Sequence, residues 1–223
     1  MGKWLPGVAH EVRNPLNAIL AITEALFQDI GDNAEYKPFL DHIRTQVERL
    51  SRLMGDLLDL GKPLQPSSLH HECLPSICAA TMDLWKQTPL SKTHKVRLVL
   101  PSENTNLSVI ADGPRLQQVF LNLLENAAQH SPEGSEILFT VSNPRGITAR
   151  IHIIDQGTGV LPENSEKVFE PFFTTRKRGN GLGLSLAKNT VLAHGGNIVI
   201  KNNDPLPGCT VEISLPVLQK GEQ

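Results

Sequence analysis

The amino-acid sequence predicts an α+β protein. A helical hairpin forms a four-helix bundle with a second copy, and a two-layer α/β sandwich with a mixed sheet follows it. Three observations predict this. Apolar residues step by threes and fours from Leu5 to Leu60. A stretch holding two prolines and a glycine, Gly61 to Ser68, breaks the pattern. Beyond it, short apolar runs alternate with helical ones.

The first helix carries Leu5, Val8, Val12, Leu16, Ile19, Thr23, Leu26 and Ile30 on one stripe. The second carries Phe39, Ile43, Val47, Leu50, Met54, Leu57 and Leu60, and Gly31-Asp32-Asn33 between them reads as a C-cap and turn. Helices of about 25 residues run ~38 Å at 1.5 Å per residue. Leu20, Ile22, Leu40, Leu53 and Leu58 widen the stripes beyond one seam. Two helices cannot cover such stripes alone, so a second copy completes a four-helix bundle. After the break, the pattern gives a strand near 69–74, a helix near 75–87, and strands near 95–100 and 107–111. A helix over 113–129 and strands at 136–141 and 148–154 come next. A loop runs from Gln156 to Asn180, then a helix at 181–193 and strands at 197–201 and 210–215. A loop of that length inside a compact domain is usually functional.

Composition removes several classes. A net charge of −2 gives no electrostatic case for nucleic acid or an anionic membrane surface. No apolar run reaches the roughly 18 residues of a membrane span. Three cysteines argue against a disulfide framework and fit a reducing compartment. Phe169, Phe172 and Phe173 account for three of only seven Phe, a cluster with a purpose.

Five segments carry chemistry. In His10-Glu11-Val12-Arg13-Asn14-Pro15-Leu16, a helix sets His10 and Asn14 one turn apart, and Pro15 removes the N–H that would bond the Glu11 carbonyl. The zinc-protease pattern fails here, because it needs His where Asn14 stands. Asn122 and Asn126 lie one turn apart on the long helix, and amide oxygens are hard ligands suited to Mg2+. Asp155-Gln156-Gly157-Thr158-Gly159 follows an apolar strand, offering an acceptor for a ligand amine and backbone that can approach closely. Gly179-Asn180-Gly181-Leu182-Gly183-Leu184 opens a helix, a cradle for phosphate, though neither the dinucleotide fingerprint nor a P-loop. Between these two lie the Phe cluster and Arg176-Lys177-Arg178, which read as a lid whose cations meet phosphate. Taken singly, each also fits a bland reading: a solvated helix face, an Asn pair, a surface turn, a basic loop.

The order and spacing of the five segments resemble the sensor histidine kinases of two-component signalling, over about residues 5–217. HEVRNPL is similar to their phospho-acceptor box and NLLENAAQH to the N box. DQGTG and GNGLGL are similar to the two glycine boxes, and FEPFF to the F box between them. The lid phrasing resembles the nitrogen-regulator-like branch.

The resemblance implies a dimerisation and histidine phosphotransfer domain at 1–62, a linker at 63–68 and an ATP-binding catalytic domain at 69–223. It implies that His10 is phosphorylated, that Glu11 orients its ring and takes its proton, and that Asn14 positions water for dephosphorylating the regulator. Asn126 becomes the Mg2+ ligand and Asn122 its polar neighbour near the phosphates, with His130 a further polar contact. Gln129 departs from the usual Lys or His. Asp155 reads the adenine amine, flanked by Gly157 and Gly159. Lys177, Arg178, Gly179, Gly181, Leu182, Gly183 and Leu184 line the phosphate side, and Thr210 lies near adenine in an incomplete Gly208-Cys209-Thr210-Val211 pattern. ATP and Mg2+ are the implied cofactors. A second copy and the receiver domain of a response regulator are the implied partners, with no nucleic acid and no direct membrane contact. The implied location is the bacterial cytoplasm, as the catalytic part of a longer receptor.

Three other readings fit the residues less well. A hydrolytic ATPase of the gyrase or chaperone kind places Glu where Asn122 stands, and an amide cannot serve as that base. A decayed docking protein does not explain the intact Asp155, Asn126 and glycines. Metal binding by His70, His71, Cys73 and Cys78 lacks zinc spacing, and adjacent strand residues face opposite ways.

Overall fold

The computed structural model describes residues 5–30, 33–101, 107–144, 146–176, 179–205 and 207–218; the described side chains exclude those of residues 5–13, 16, 52 and 61. The chain divides into two units, Met1–Lys62 and Pro63–Gln223.

The first unit is two helices, α1 (Leu5–Ile30) and α2 (Lys37–Gly61). α1 continues through Pro15. Pro38 stands in the first turn of α2, where its missing N–H leaves no bond unmade. The expected turn at Gly31 and Asp32 lies outside the described residues. Asn33 closes the connection, its carbonyl accepting from the Tyr36 and Lys37 N–H groups and its Oδ1 from the Glu35 N–H at 2.9 Å. Leu40, Val47 and Thr23 are buried between the helices, and Arg44 lies over the Phe27 ring. Ile19, Ile22, Leu26, Phe39, Ile43 and Leu50 remain exposed, Phe39 to 67%. Leu53, Met54, Leu57, Leu58 and Leu60 are half-buried, so among the described side chains the hairpin covers one seam and leaves part of its stripes open.

The second unit is a two-layer sandwich. Strands β1 (His70–Cys73) and β3 (Ser108–Ala111) form an antiparallel ribbon. β2 (Lys95–Val99), β4 (Glu136–Ser142), β5 (Thr148–Ile154), β6 (Asn197–Asn202) and β7 (Cys209–Pro216) form a sheet in the order β2-β4-β5-β7-β6. The β2–β4 pair is parallel and the other pairs antiparallel, so the sheet is mixed as expected. Three helices pack against it: α3 (Leu74–Gln87), α4 (Gly113–His130) and α5 (Gly183–Ala193). Strand alternation supplies the inner face: Ile137, Phe139 and Val141 on β4, Ile151 and Ile153 on β5, Val211, Ile213 and Leu215 on β7. Leu116, Phe120, Leu123 and Leu124 of α4 meet it, with Phe120 and Phe139 tilted at 5.6 Å between ring centroids. Each such fully buried side chain contributes about 1.5–3 kcal/mol of transfer free energy.

Three features depart from expectation. The ribbon stands apart from the main sheet, because β1 runs straight into α3 and β3 reaches α4 through Asp112 alone, so the short strands pair with each other. The loop after Gln156 is not structureless: it contains single 3-10 turns at Pro162–Asn164 and Lys167–Phe169. α5 begins at Gly183 rather than at residue 181, because Gly181 adopts φ +65°, which stops a right-handed helix from extending back through it.

Candidate functional site

Asp155 follows the last residue of β5 and is buried. Its Oδ1 accepts from the Gly157 N–H at 2.8 Å and the Cys209 N–H at 3.1 Å, and its Oδ2 accepts from the Cys209 thiol at 2.9 Å. Burial pushes that thiol well above its ordinary range, and the bond to Asp155 and its charge push it the same way. The thiol therefore stays protonated and donates. Thiols are weak donors, so Oδ2 keeps acceptor capacity for a stronger partner. Gly157 approaches the end of α4 so closely that a Cβ would stand 2.6 Å from the His130 carbonyl oxygen.

Thr210, expected near adenine, is not the β7 residue that bonds Asp155. Its hydroxyl donates to Asn203 Oδ1 at 2.7 Å, and Cys209 takes the place against Asp155. Alternation along β7 is the reason: residue 209 shares a face with the buried Val211, Ile213 and Leu215, and 210 does not. That pattern was the signal that could have found Cys209.

α4 carries Asn122, Asn126 and His130 along its second half. Its start is fixed by Asp112, whose Oδ1 accepts from the Arg115 N–H at 3.1 Å in an N-cap. The Asp112 N–H donates to Nε2 of His194 at 3.0 Å, just past the end of α5. The start of α4 thus meets the end of α5, and the two helices run antiparallel. Counting back eleven residues along α5 sets Gly183 level with Asn122–Asn126 on α4. The N-terminus of α5, an end whose first N–H groups lack intrahelical partners and whose dipole favours negative charge, therefore lies level with Asn126, expected to hold the metal, and with Asn122. Gln118 Nε2 donates to Asn122 Oδ1 at 2.8 Å, and both asparagines are half-buried.

Two contacts tie down the loop that leads to α5. The Phe172 N–H donates to the Gly181 carbonyl at 2.8 Å, and Gly181 abuts the Phe172 backbone where no Cβ fits. Arg176 donates from its guanidinium to Gln129 Oε1 at the end of α4. Burial lowers the pKa of His130, Arg176 lowers it further, and Asp155 opposes the shift. His130 is therefore neutral near pH 7 and enters as a hydrogen-bonding group. Leu182 is buried in the core and Leu184 packs against it, so a ligand would meet their backbone rather than their side chains. The Phe cluster divides: Phe169 is buried with the Lys188 ammonium 5.2 Å from its ring centroid, whereas Phe172 is exposed at φ +69°. Lys177 and Arg178 lie outside the described residues. So do the side chains of His10 and Glu11, although both residues lie on α1; Asn14 is exposed there. Among the described residues no three His, Cys, Asp or Glu side chains converge as a metal site. A cation beside Asn126 would therefore draw most of its oxygens from water and a ligand's phosphates, which suits Mg2+.

Residues 111–219 match the family described as histidine kinase-, DNA gyrase B-, and HSP90-like ATPase, and residues 1–66 match the His Kinase A (phospho-acceptor) domain. The sensor histidine kinase ZraS of Salmonella typhi is 32% identical over 99% of this chain and 46% of its own length. The mycobacterial sensor histidine kinase MprB is 30% identical in a solved structure, over 67% of this chain and 97% of that one, with a TM-score of 0.60. Histidine kinase ThkA in complex with response regulator protein TrrA is 25% identical over 96% of this chain and 61% of that one, with a TM-score of 0.66. The chain belongs to the sensor histidine kinases of two-component signalling. It spans about half the length of the ZraS proteins it matches. No described helix is long and apolar enough to cross a membrane.

Proposed function

We propose that the Pro63–Gln223 unit binds ATP with Mg2+, that its γ-phosphoryl group passes to His10, and that His10 hands it to an aspartate of a response regulator. The observation that carries this reading is the antiparallel packing of α4 and α5. It sets Asn126 and the N-terminus of α5 side by side, while Asp155 offers a buried acceptor beyond the end of α4. One unit thereby supplies a base reader and a phosphate cradle. Mg2+ would neutralise phosphate charge beside Asn126.

Asp155 accepts from the adenine amine through Oδ2. Asn122, the α5 N–H groups and Arg176, with Lys177 and Arg178, hold the phosphates, and Gly157, Gly159, Gly179, Gly181 and Gly183 let the backbone approach. A ring nitrogen of His10 attacks the γ-phosphorus, the bond to the bridging oxygen breaks, and ADP leaves with that oxygen. Glu11 takes the proton from the imidazole. Catalysis of this kind is mostly positioning and charge neutralisation. In the next step the regulator's carboxylate displaces the histidine nitrogen. Asn14, whose amide can align a water but cannot deprotonate an imidazole, supports regulator dephosphorylation. The similar kinase ThkA, solved in complex with response regulator protein TrrA, supports a response regulator as the partner class. The open apolar stripes of α1 and α2 support a homodimer through this hairpin, and the residues work in the bacterial cytoplasm.

Incubation of the chain with γ-labelled ATP and Mg2+ tests the reading. The expected label is acid-labile and base-stable, as a phosphoramidate is. An acid-stable label, or release of free phosphate without any label, would point to a hydroxyl kinase or a hydrolase instead.

A further inference from the structure

Two adjacent asparagines at the tip of the β6–β7 hairpin hold both ends of the segment that carries Asp155. Asn203 Nδ2 donates to the Asp155 carbonyl at 2.9 Å and to the Pro207 carbonyl at 3.1 Å, while its Oδ1 accepts from the Thr210 hydroxyl at 2.7 Å. Asn202 Oδ1 accepts from the Val160 N–H at 2.7 Å, and its Nδ2 donates to the Val160 carbonyl at 2.8 Å. Neither amide can be flipped, since a carbonyl partner needs the NH2 and an N–H partner needs the oxygen.

These bonds sit where the sheet stops providing them. The β5–β7 ladder ends at Ile154 opposite Thr210. Asp155 still donates its N–H to the Cys209 carbonyl, but its own carbonyl lies past the ladder and takes Asn203 instead. At the far end, Gly159 comes so close to Asn202 that a Cβ would stand 2.7 Å from Oδ1. The DQGTG segment is thus bracketed: Asn203 holds residue 155 and Asn202 holds residue 160. Thr210 enters this arrangement one step removed, by orienting the Asn203 amide.

We propose that Asn202 and Asn203 are positioning residues that set the aim of the Asp155 carboxylate and so the discrimination between nucleobases, an inference that rests on the ATP reading above. Phosphate contacts lie on α4 and α5, outside this bracket. Loosening the bracket should therefore weaken recognition of the amine while leaving phosphoryl transfer at saturating ATP near wild type. Inosine triphosphate is the comparison ligand, since its base presents a carbonyl where adenine presents the amine.

The test titrates the full chain with ATP and with inosine triphosphate, in wild type, Asn203→Ala, Asn202→Ala and Thr210→Val, alongside thermal unfolding. Wild type should prefer ATP. Asn203→Ala should narrow that preference about fivefold or more, the scale of a lost hydrogen bond. KM for ATP should rise and kcat should hold. Asn202→Ala and Thr210→Val should move the ratio the same way by less. A folded Asn203→Ala that keeps the wild-type ratio overturns the proposal, even if both affinities fall. If Asn203→Ala does not fold, Thr210→Val decides, because it keeps the side-chain shape and removes only the hydroxyl; an unchanged ratio there overturns the proposal equally. A wild type that binds neither nucleotide, or both alike, defeats the ATP reading itself and the proposal with it.

Discussion

Asp155 is the buried side chain to which the proposed reading assigns base recognition. Three donors fix its carboxylate, two of them strong N–H groups on Oδ1 and one a weak thiol on Oδ2. Replacing it by Asn leaves one oxygen and introduces an NH2 that must face either those N–H groups or the incoming amine. Asp155→Asn should weaken ATP binding by about 1–3 kcal/mol, the scale of a hydrogen bond to a charged group, and should narrow the ATP-over-GTP preference. Nucleotide titration of both proteins checks this, and equal ATP and GTP affinities in wild type would remove the role. At this scale the sequence was partly legible. Asp155 stood out because a carboxylate and two glycines followed an apolar strand. Cys209 and the asparagine pair did not, because their roles depend on which strands pair and where the ladder ends.

His194 shows what one helix junction requires. Its Nδ1 donates to the Thr190 carbonyl at 2.7 Å and its Nε2 accepts from the Asp112 N–H, so the ring must be neutral to hold both. Burial lowers its pKa from the ordinary 6.5; the bond to Thr190 and the charge of Asp112 oppose this, and Arg115 adds to it. A folded pKa below the unfolded one means that the unfolded chain binds the extra proton. The stabilisation is fully present above about pH 6.5 and is lost as the pH falls through the folded value. His130 is lowered too and contributes with the same sign. The urea midpoint of the catalytic unit's transition should be lower at pH 5.5 than at 7.5. His194→Asn should flatten that dependence while lowering stability at pH 7.5, and an unchanged pH slope in the variant would refute the account of this junction. Helix and strand periodicity made nearly every element readable in advance. The start of α5 was not, because the positive φ of Gly181 is set by the backbone of Phe172 across the loop.

As a whole molecule, the chain joins a helical hairpin with open apolar stripes to a well-filled sandwich. Leu50 is 47% exposed on α2 although its sequence position belongs to the apolar series. The proposed homodimer would cover it. Light scattering should give twice the 24.5 kDa chain mass. Leu50→Glu should dissociate or unfold the hairpin, since burying an unpaired charge costs several kcal/mol. A folded wild-type monomer at micromolar concentration would defeat the bundle. The two-unit organisation was legible because periodicity changes at a proline-rich break, whereas the separate β1–β3 ribbon was not, because strand partners four residues long leave little pattern.

In the proposed reaction His10 receives the phosphoryl group from ATP held by the second unit. The most direct measurement compares wild type with His10→Gln for labelling by γ-labelled ATP, with ATP affinity measured on the same samples. Wild type should carry an acid-labile label, His10→Gln none, and both should bind ATP with near-equal affinity. An acid-labile label that persists in His10→Gln, or a wild type that binds ATP and takes no label, would contradict the proposed reaction.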